Sequence, residues 1–206
     1  MIEKLFWLGH ASFKIKGNSK IIYIDPWKLK GSPEPADIIL IGHSHFDHLS
    51  LPDVEKIQKP ATVIITTADC ASQIKGDVRV AKPGDCIKAD DITIEAVPAY
   101  NTDKAFHPKA NNWIGFIVNV DGERLYYASD TDIIPEMGQL KNIDVALIPA
   151  GGTYTMDIHQ AAKAAEMIKP KIAVPYHYGD IVGAADEGKK FADIYSGKSH
   201  ILTPLA

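Results

Sequence analysis

The sequence predicts a mixed α/β fold, a four-layer αββα sandwich with two facing sheets and helices on their outer sides. Three observations predict it. Short apolar and β-branched runs dominate the first half of the chain. Two of the runs, Asp37–Ile41 (DIILI) and Asp144–Pro149 (DVALIP), are apolar after their first residue, as strands buried on both faces must be. The succession of strands then helix recurs along the chain, an order that two sheets with helices outside them satisfy.

Each element follows from its residues. Lys4–Leu8, Ser12–Lys16 and Lys20–Ile24 read as strands, with Gly17-Asn18 as a hairpin turn and Asp25-Pro26 as a terminator. Gly31–Ala36 is a loop, because Pro33 and Pro35 interrupt it. After the strand Asp37–Ile41 and a further loop, a helix is expected from Ser50 or Leu51. Pro52 suits its first turn and Pro60 its end. Thr62–Thr66, Asp91–Val97, Trp113–Val120 and Arg124–Ala128 are strands, the last two joined by Asp121-Gly122. Asp144–Pro149 precedes the helix Asp157–Ile168, for which Thr155 is the expected cap and Pro170 the stop. Lys171–Pro175 is the next strand, and Asp186–Tyr195 the last helix.

At 206 residues the chain can bury a sizeable core, and one domain over residues 1–206 is expected. Hydrophobic residues make up 46% and charged residues 23%, which excludes a disordered composition. Lys plus Arg number 22 against 26 Asp plus Glu, so no nucleic-acid partner is expected. The opening MIEKLFWLGH lacks a basic segment followed by a long apolar run, and no stretch approaches the ~20 apolar residues of a membrane span. A cytoplasmic location without a membrane partner is the expectation; a homo-oligomer is left open. Cys70 and Cys86 read as unpaired thiols. Metal chemistry, if present, falls to histidine and carboxylate.

The decisive segment is His43-Ser44-His45-Phe46-Asp47-His48, directly after a buried strand. In an extended segment residues two apart point the same way, so His43 and His45 can converge on one ion. Asp47 and His48 lie past a turn and can face a second. Imidazole and carboxylate suit zinc and similar first-row metals. Phe46 reads as a packing residue. A pair of ions needs further ligands, and the candidates are His107, Asp130 and His177. Asp130 and His177 each follow a predicted strand, the same placement as the first cluster.

HSHFDH, with LGHASF near the start, IDP after the third strand, the triplet Ser129-Asp130-Thr131 and the late PYHY, resembles the metallo-β-lactamase superfamily. Within it the chain is similar to the compact metal-dependent hydrolases that include ascorbate-phosphate lactonase-like proteins. The resemblance spans nearly the whole chain. It implies the αββα fold and two divalent ions, zinc first, with manganese, nickel or iron as alternatives. It implies that His43, His45 and His107 hold one ion, that Asp47, His48 and His177 hold the other, and that Asp130 bridges them. One departure stands out. Many members carry the third histidine in a Pro-Ala-Phe-His pattern, where this chain reads Pro98-Ala99-Tyr100-Asn101. His107 is then expected to swing in from the following loop.

Asp47 and His10 are the expected catalytic groups, His10 as a proton shuttle or a support beside the metals. Tyr154, Tyr178, Lys104 and Asn101 are candidates for holding substrate. Asp25 either supports a ligand histidine or ends its strand, and the Trp27–Leu29 loop is either a pocket wall or a dimer contact. His159 and His200 read as ordinary structural histidines. The implied function is hydrolysis of a small ester, lactone or phosphoester, by a hydroxide generated when two ions lower the pKa of a shared water. No GxSxG or Walker motif offers a serine or P-loop route. Two alternatives are a mononuclear iron redox enzyme of the persulfide dioxygenase kind and a metal-stabilised sensor without turnover.

Overall fold

Strands β1 (Leu5–Gly9), β2 (Ser12–Lys16) and β3 (Ile21–Ile24) form an antiparallel meander. Strands β4 (Ile38–Ile41), β5 (Val63–Thr66) and β6 (Asp77–Val80) add to it in parallel. The second sheet begins with an antiparallel set, β7 (Cys86–Ala89), β8 (Ile92–Pro98), β9 (Ile114–Val120) and β10 (Glu123–Tyr127). It ends in parallel with β11 (Val145–Pro149) and β12 (Ile172–Tyr176), giving two six-stranded sheets. Among the described residues four α-helices complete the fold: α1 (Leu51–Ile57), α2 (Ala68–Ala71), α3 (Ile158–Ile168) and α4 (Glu187–Ile194). The computed structural model describes residues 1–205.

The period-two geometry of strands explains the layers. In β4, Ile38 and Leu40 enter the core between the sheets, while Ile39 and Ile41 face outward onto Val54 and Ile57 of α1. In β11, Val145 and Leu147 point inward, and Ala146 and Ile148 meet Ala161, Ala165 and Ile168 of α3. Phe13, Ile15, Phe116, Tyr127 and Tyr176 fill the space between the sheets. The result is the predicted αββα sandwich. No helix among the described residues is long and apolar enough to cross a membrane.

Several expectations are corrected. The α3 cap is Asp157, not Thr155. The Asp157 carboxylate accepts from Gln160 N–H at 2.8 Å, and the Gln160 side chain accepts from Asp157 N–H at 3.0 Å, a reciprocal capping box. Two edge strands, β6 and β7, and the short α2 are additional. Their residues are half-exposed and mixed in polarity, so they carry no continuous apolar run. The tight turn at Asp121-Gly122 is as expected, with both residues at positive φ.

Candidate metal centre

The site forms where strands end. His10 follows β1, Asp25 follows β3, His43 follows β4, Asp130 follows β10 and His177 follows β12. Leaving a strand sharply enough to face the centre requires unusual backbone. His10, Asp25, Ser129 and His177 all hold positive φ, between 43° and 64°, a region that strains non-glycine residues by about 1–2 kcal/mol each. The sheets are clasped at this end. The His10 carbonyl accepts from His177 N–H at 3.2 Å and from the Trp7 indole at 2.9 Å, and Ile114 N–H donates to Gly42 O at 3.1 Å. Gly42 is required there, since a Cβ would lie 2.5 Å from Ser129 Oγ and 2.7 Å from Ile114 O.

Past Gly42 the chain turns back on itself, with His48 and Leu49 N–H donating to the His45 carbonyl at 3.0 and 2.8 Å. Around that turn lie three groups of donor atoms, those in each within 4.8 Å of one another: His43, His45 and His107; His10, Asp47, His48 and His177; and His43, His48 and Asp130, which links the first two. Asp130 sits between them. Its Oδ1 lies 3.3 Å from His48 Nε2, and its Oδ2 lies 3.3 Å from His107 Nε2 and 3.1 Å from His177 Nε2. His10 Nε2 meets Asp47 Oδ2 at 3.0 Å, and its ring centroid is 4.0 Å from that of His177.

Tautomers follow from the outer partners. The His48 Nδ1 lies 2.6 Å from Asp25 Oδ2, an acceptor only, so Nδ1 carries the hydrogen. Asp25 is itself pinned, accepting from Gly42 N–H at 2.8 Å and from the Tyr127 hydroxyl at 2.5 Å. Asn101 does the same for His107. Its Oδ1 accepts from His107 N–H and from Nδ1, both at 2.9 Å, while its Nδ2 donates to Tyr154 O at 3.0 Å. In both histidines Nε2 is left as a bare acceptor facing a carboxylate oxygen. Two lone pairs opposed in a buried site need a cation between them, a proton or a metal. Among the described residues, six of the eight buried side-chain atoms without a hydrogen-bond partner lie here: Nε2 of His48, His107 and His177, Nδ1 of His177 and His10, and Asp130 Oδ1; Arg124 Nε and Thr155 Oγ1 are the other two. The donor set therefore fits first-row divalent metals.

Electrostatics agree. Burial opposes charge on His48, but Asp130 and Asp25 outweigh it and hold the ring well above its ordinary pKa. Burial likewise opposes ionisation of Asp130, yet His177 and His48 hold its carboxyl well below the usual range. Asp47, also buried, is drawn down to about 2 by the His10 hydrogen bond and by His48. His43 falls well below its usual value, chiefly because it is fully buried and then because of His48.

The structure separates the remaining candidates. A cavity of about 300 Å³ opens over the centre, lined by His45, Phe46, Asp47, Phe106, His107, Asp130, Tyr154 and Ile181. Tyr154 reaches it; Asn101, Tyr178 and Lys104 do not. Asn101 spends its polar atoms on His107 and Tyr154. Tyr178 packs in the core, 5.2 Å from Trp7, and the Lys104 ammonium is bound to Asp132 at 2.6 Å and Asp103 at 2.8 Å. Phe46 is not a packing residue: it is 68% exposed at the cavity edge, 6.0 Å from Trp27. Leu29 is buried against α1, whereas Trp27 lies over His10 at 5.4 Å. Trp113, expected from the sequence only as the start of a strand, contacts His43 and His45 at 4.8 Å and donates its indole hydrogen to Asp69 at 3.0 Å. Nothing local in its sequence marks it. His159 and His200 are exposed.

Known proteins similar to this chain identify its family and share its fold. The family described as "Beta-lactamase superfamily domain" matches residues 4–177. A UPF0173 metal-dependent hydrolase of Pyrococcus furiosus is 34% identical, covering 97% of this chain and 95% of its own. One from Archaeoglobus fulgidus is 36% identical over 85% and 83%. Among solved structures, a protein from Parabacteroides distasonis described as a metal-dependent hydrolase is 38% identical, with a TM-score of 0.87 over 98% of this chain and 93% of that one. Igni18, a metallo hydrolase from Ignicoccus hospitalis, is 26% identical with a TM-score of 0.79 over 98% and 95%. By the family match and by these relatives, the chain belongs to the β-lactamase superfamily and, within it, to the UPF0173 metal-dependent hydrolases.

Proposed function

We propose that this protein is a hydrolase that binds two divalent metal ions, zinc first among them, and cleaves a small ester, lactone or phosphoester. The observation that carries the reading is the convergence of unpartnered buried histidine nitrogens on Asp130. In this reading His43, His45 and His107 would hold one ion, Asp47, His48 and His177 would hold the other, and Asp130 lies where it could serve both. When bound, the ions supply an acidified water and polarise the oxygen of the electrophile.

The chain's own residues do the rest. Asp25 and Asn101 fix the rings of His48 and His107, so that the Nε2 atoms are presented without rearrangement. His10 orients Asp47 through the 3.0 Å hydrogen bond and has a free Nδ1 that can hold a proton during turnover. Tyr154, on the cavity wall, orients substrate.

Elemental analysis of wild type and His107→Ala, prepared identically and assayed on phosphodiester and lactone panels, tests this. Near two equivalents of metal in wild type, falling in the variant with loss of turnover, is the expected result. An unchanged count and rate in the variant removes His107 from the site. A single iron with oxygen uptake replaces the proposal with the redox reading.

A further inference from the structure

Apart from the donor residues, the wall of the cavity is apolar save for the phenol hydroxyl of Tyr154. Beyond the donor residues it consists of Phe46, Phe106, Tyr154 and Ile181. Three of these are large hydrophobic side chains left in solvent: Phe46 is 68% exposed, Phe106 46% and Ile181 37%. Exposed apolar groups gathered around a concave site mark a surface kept for binding. The group is also braced. Phe106 meets the Tyr154 ring edge-on at 4.8 Å, and Phe46 meets Trp27 edge-on at 6.0 Å, so the wall is a set of aromatic surfaces held at fixed angles.

Charge is missing where an anionic substrate would need it. Among the described residues no Lys or Arg lines the cavity. The nearby cations are committed elsewhere: Lys104 to Asp132 and Asp103, Lys109 to Glu136 and the Tyr100 hydroxyl, and Lys28 to Asp180 at 2.8 Å and to the face of Trp27 at 4.0 Å. A phosphorylated or carboxylated tail seated on Phe46, Phe106 and Ile181 would lie against carbon, losing its hydration without a cationic partner.

We infer that the non-reacting part of the substrate is an uncharged apolar group, a short alkyl chain or single ring, seated against Phe46, Phe106 and Ile181. The inference rests on the hydrolase reading for which group is cleaved, but the apolar seat itself can be measured by binding alone. The cavity volume is at the small end for ligand sites, which sets the size of that group.

The test uses the zinc-loaded full chain and a series of lactones bearing alkyl tails of increasing length, with the same tails ending in carboxylate as controls. A fully buried methylene is worth about fourfold in affinity. kcat/KM is expected to rise about two- to fourfold per methylene until the cavity is full, and carboxylate-ended tails to be at least about tenfold poorer. Phe46→Ala and Phe106→Ala flatten the dependence on chain length, and Ile181→Lys, at an exposed position, shifts preference towards the carboxylate-ended tails. In parallel, calorimetry measures binding of neutral alkyl amides of the same lengths. Length-dependent amide binding that the substitutions abolish, in a protein that cleaves no lactone or ester, keeps the apolar seat and removes the hydrolase reading. A flat series in both experiments, or a preference of wild type for the anionic tails, overturns the inference.

Discussion

Asn101→Ala gives the sharpest test of how the metal centre is built. The Asn101 Oδ1 accepts two hydrogen bonds at 2.9 Å from His107, one from the ring and one from the backbone, and Nδ2 ties the pair to Tyr154 O at 3.0 Å. His107 comes from a loop rather than a strand end, so this residue is what holds its ring. Truncation frees the ring to rotate and to change tautomer, and leaves a buried His107 N–H without a partner. Loss of such an outer partner lowers metal affinity by about 10- to 100-fold, or about 1.4 to 2.7 kcal/mol. The orphaned N–H costs a further ~1–3 kcal/mol of stability. Affinity is measured by competition against a chromophoric chelator, and stability by urea unfolding of the metal-stripped chain. Asn101→Asp keeps an acceptor for His107 and should recover most of the metal affinity. Metal affinity unchanged in Asn101→Ala would refute the assignment and show that His107 is held by its loop alone.

Further outcomes follow from the same contacts. Gly42→Ala should destabilise by about 1–3 kcal/mol, because its Cβ would press on Ser129 and the Ile114 carbonyl; an unchanged melting temperature would contradict the close sheet approach. Asp157→Ala removes the α3 capping box and should cost ~1 kcal/mol in urea unfolding while leaving metal content unchanged. Asp37 has a carboxyl pKa below its usual value: burial opposes this, but the Lys59 ammonium at 2.7 Å and the Ile21 N–H at 2.8 Å prevail. A depressed folded pKa contributes stability that is complete above the unfolded value of ~3.9 and drains as pH falls through the folded one, so Asp37→Asn should flatten the acid limb of a stability–pH curve. Cys70 is buried, which pushes its thiol up to about 11, whereas Cys86 is exposed; a thiol reagent at pH 8 should therefore label Cys86 alone until the chain is unfolded.

The layers are legible in the residues alone. Buried parallel strands must be apolar on both faces, and Ile38–Ile41 and Val145–Pro149 declare that in a single run. The sequence also announced the HSHFDH array, because local spacing suffices to bring His43, His45, Asp47 and His48 around one turn. Edge strands β6 and β7 escaped it, since half-exposed residues need no apolar period. The surroundings of the site depend on how distant segments pack. Asn101 lies beside His107 through a loop whose path no periodicity encodes, and Asp25 reaches His48 across the parallel pairing of β3 with β4. Tyr178 and Lys104 stand next to site residues in sequence, yet one is drawn into the core by Trp7 and the other onto Asp132. Phe46 shows the reverse. Its hydrophobicity suggested burial, but the turn that aims both neighbours inward leaves it facing out, so the position of its backbone, not its chemistry, put it at the mouth of the cavity.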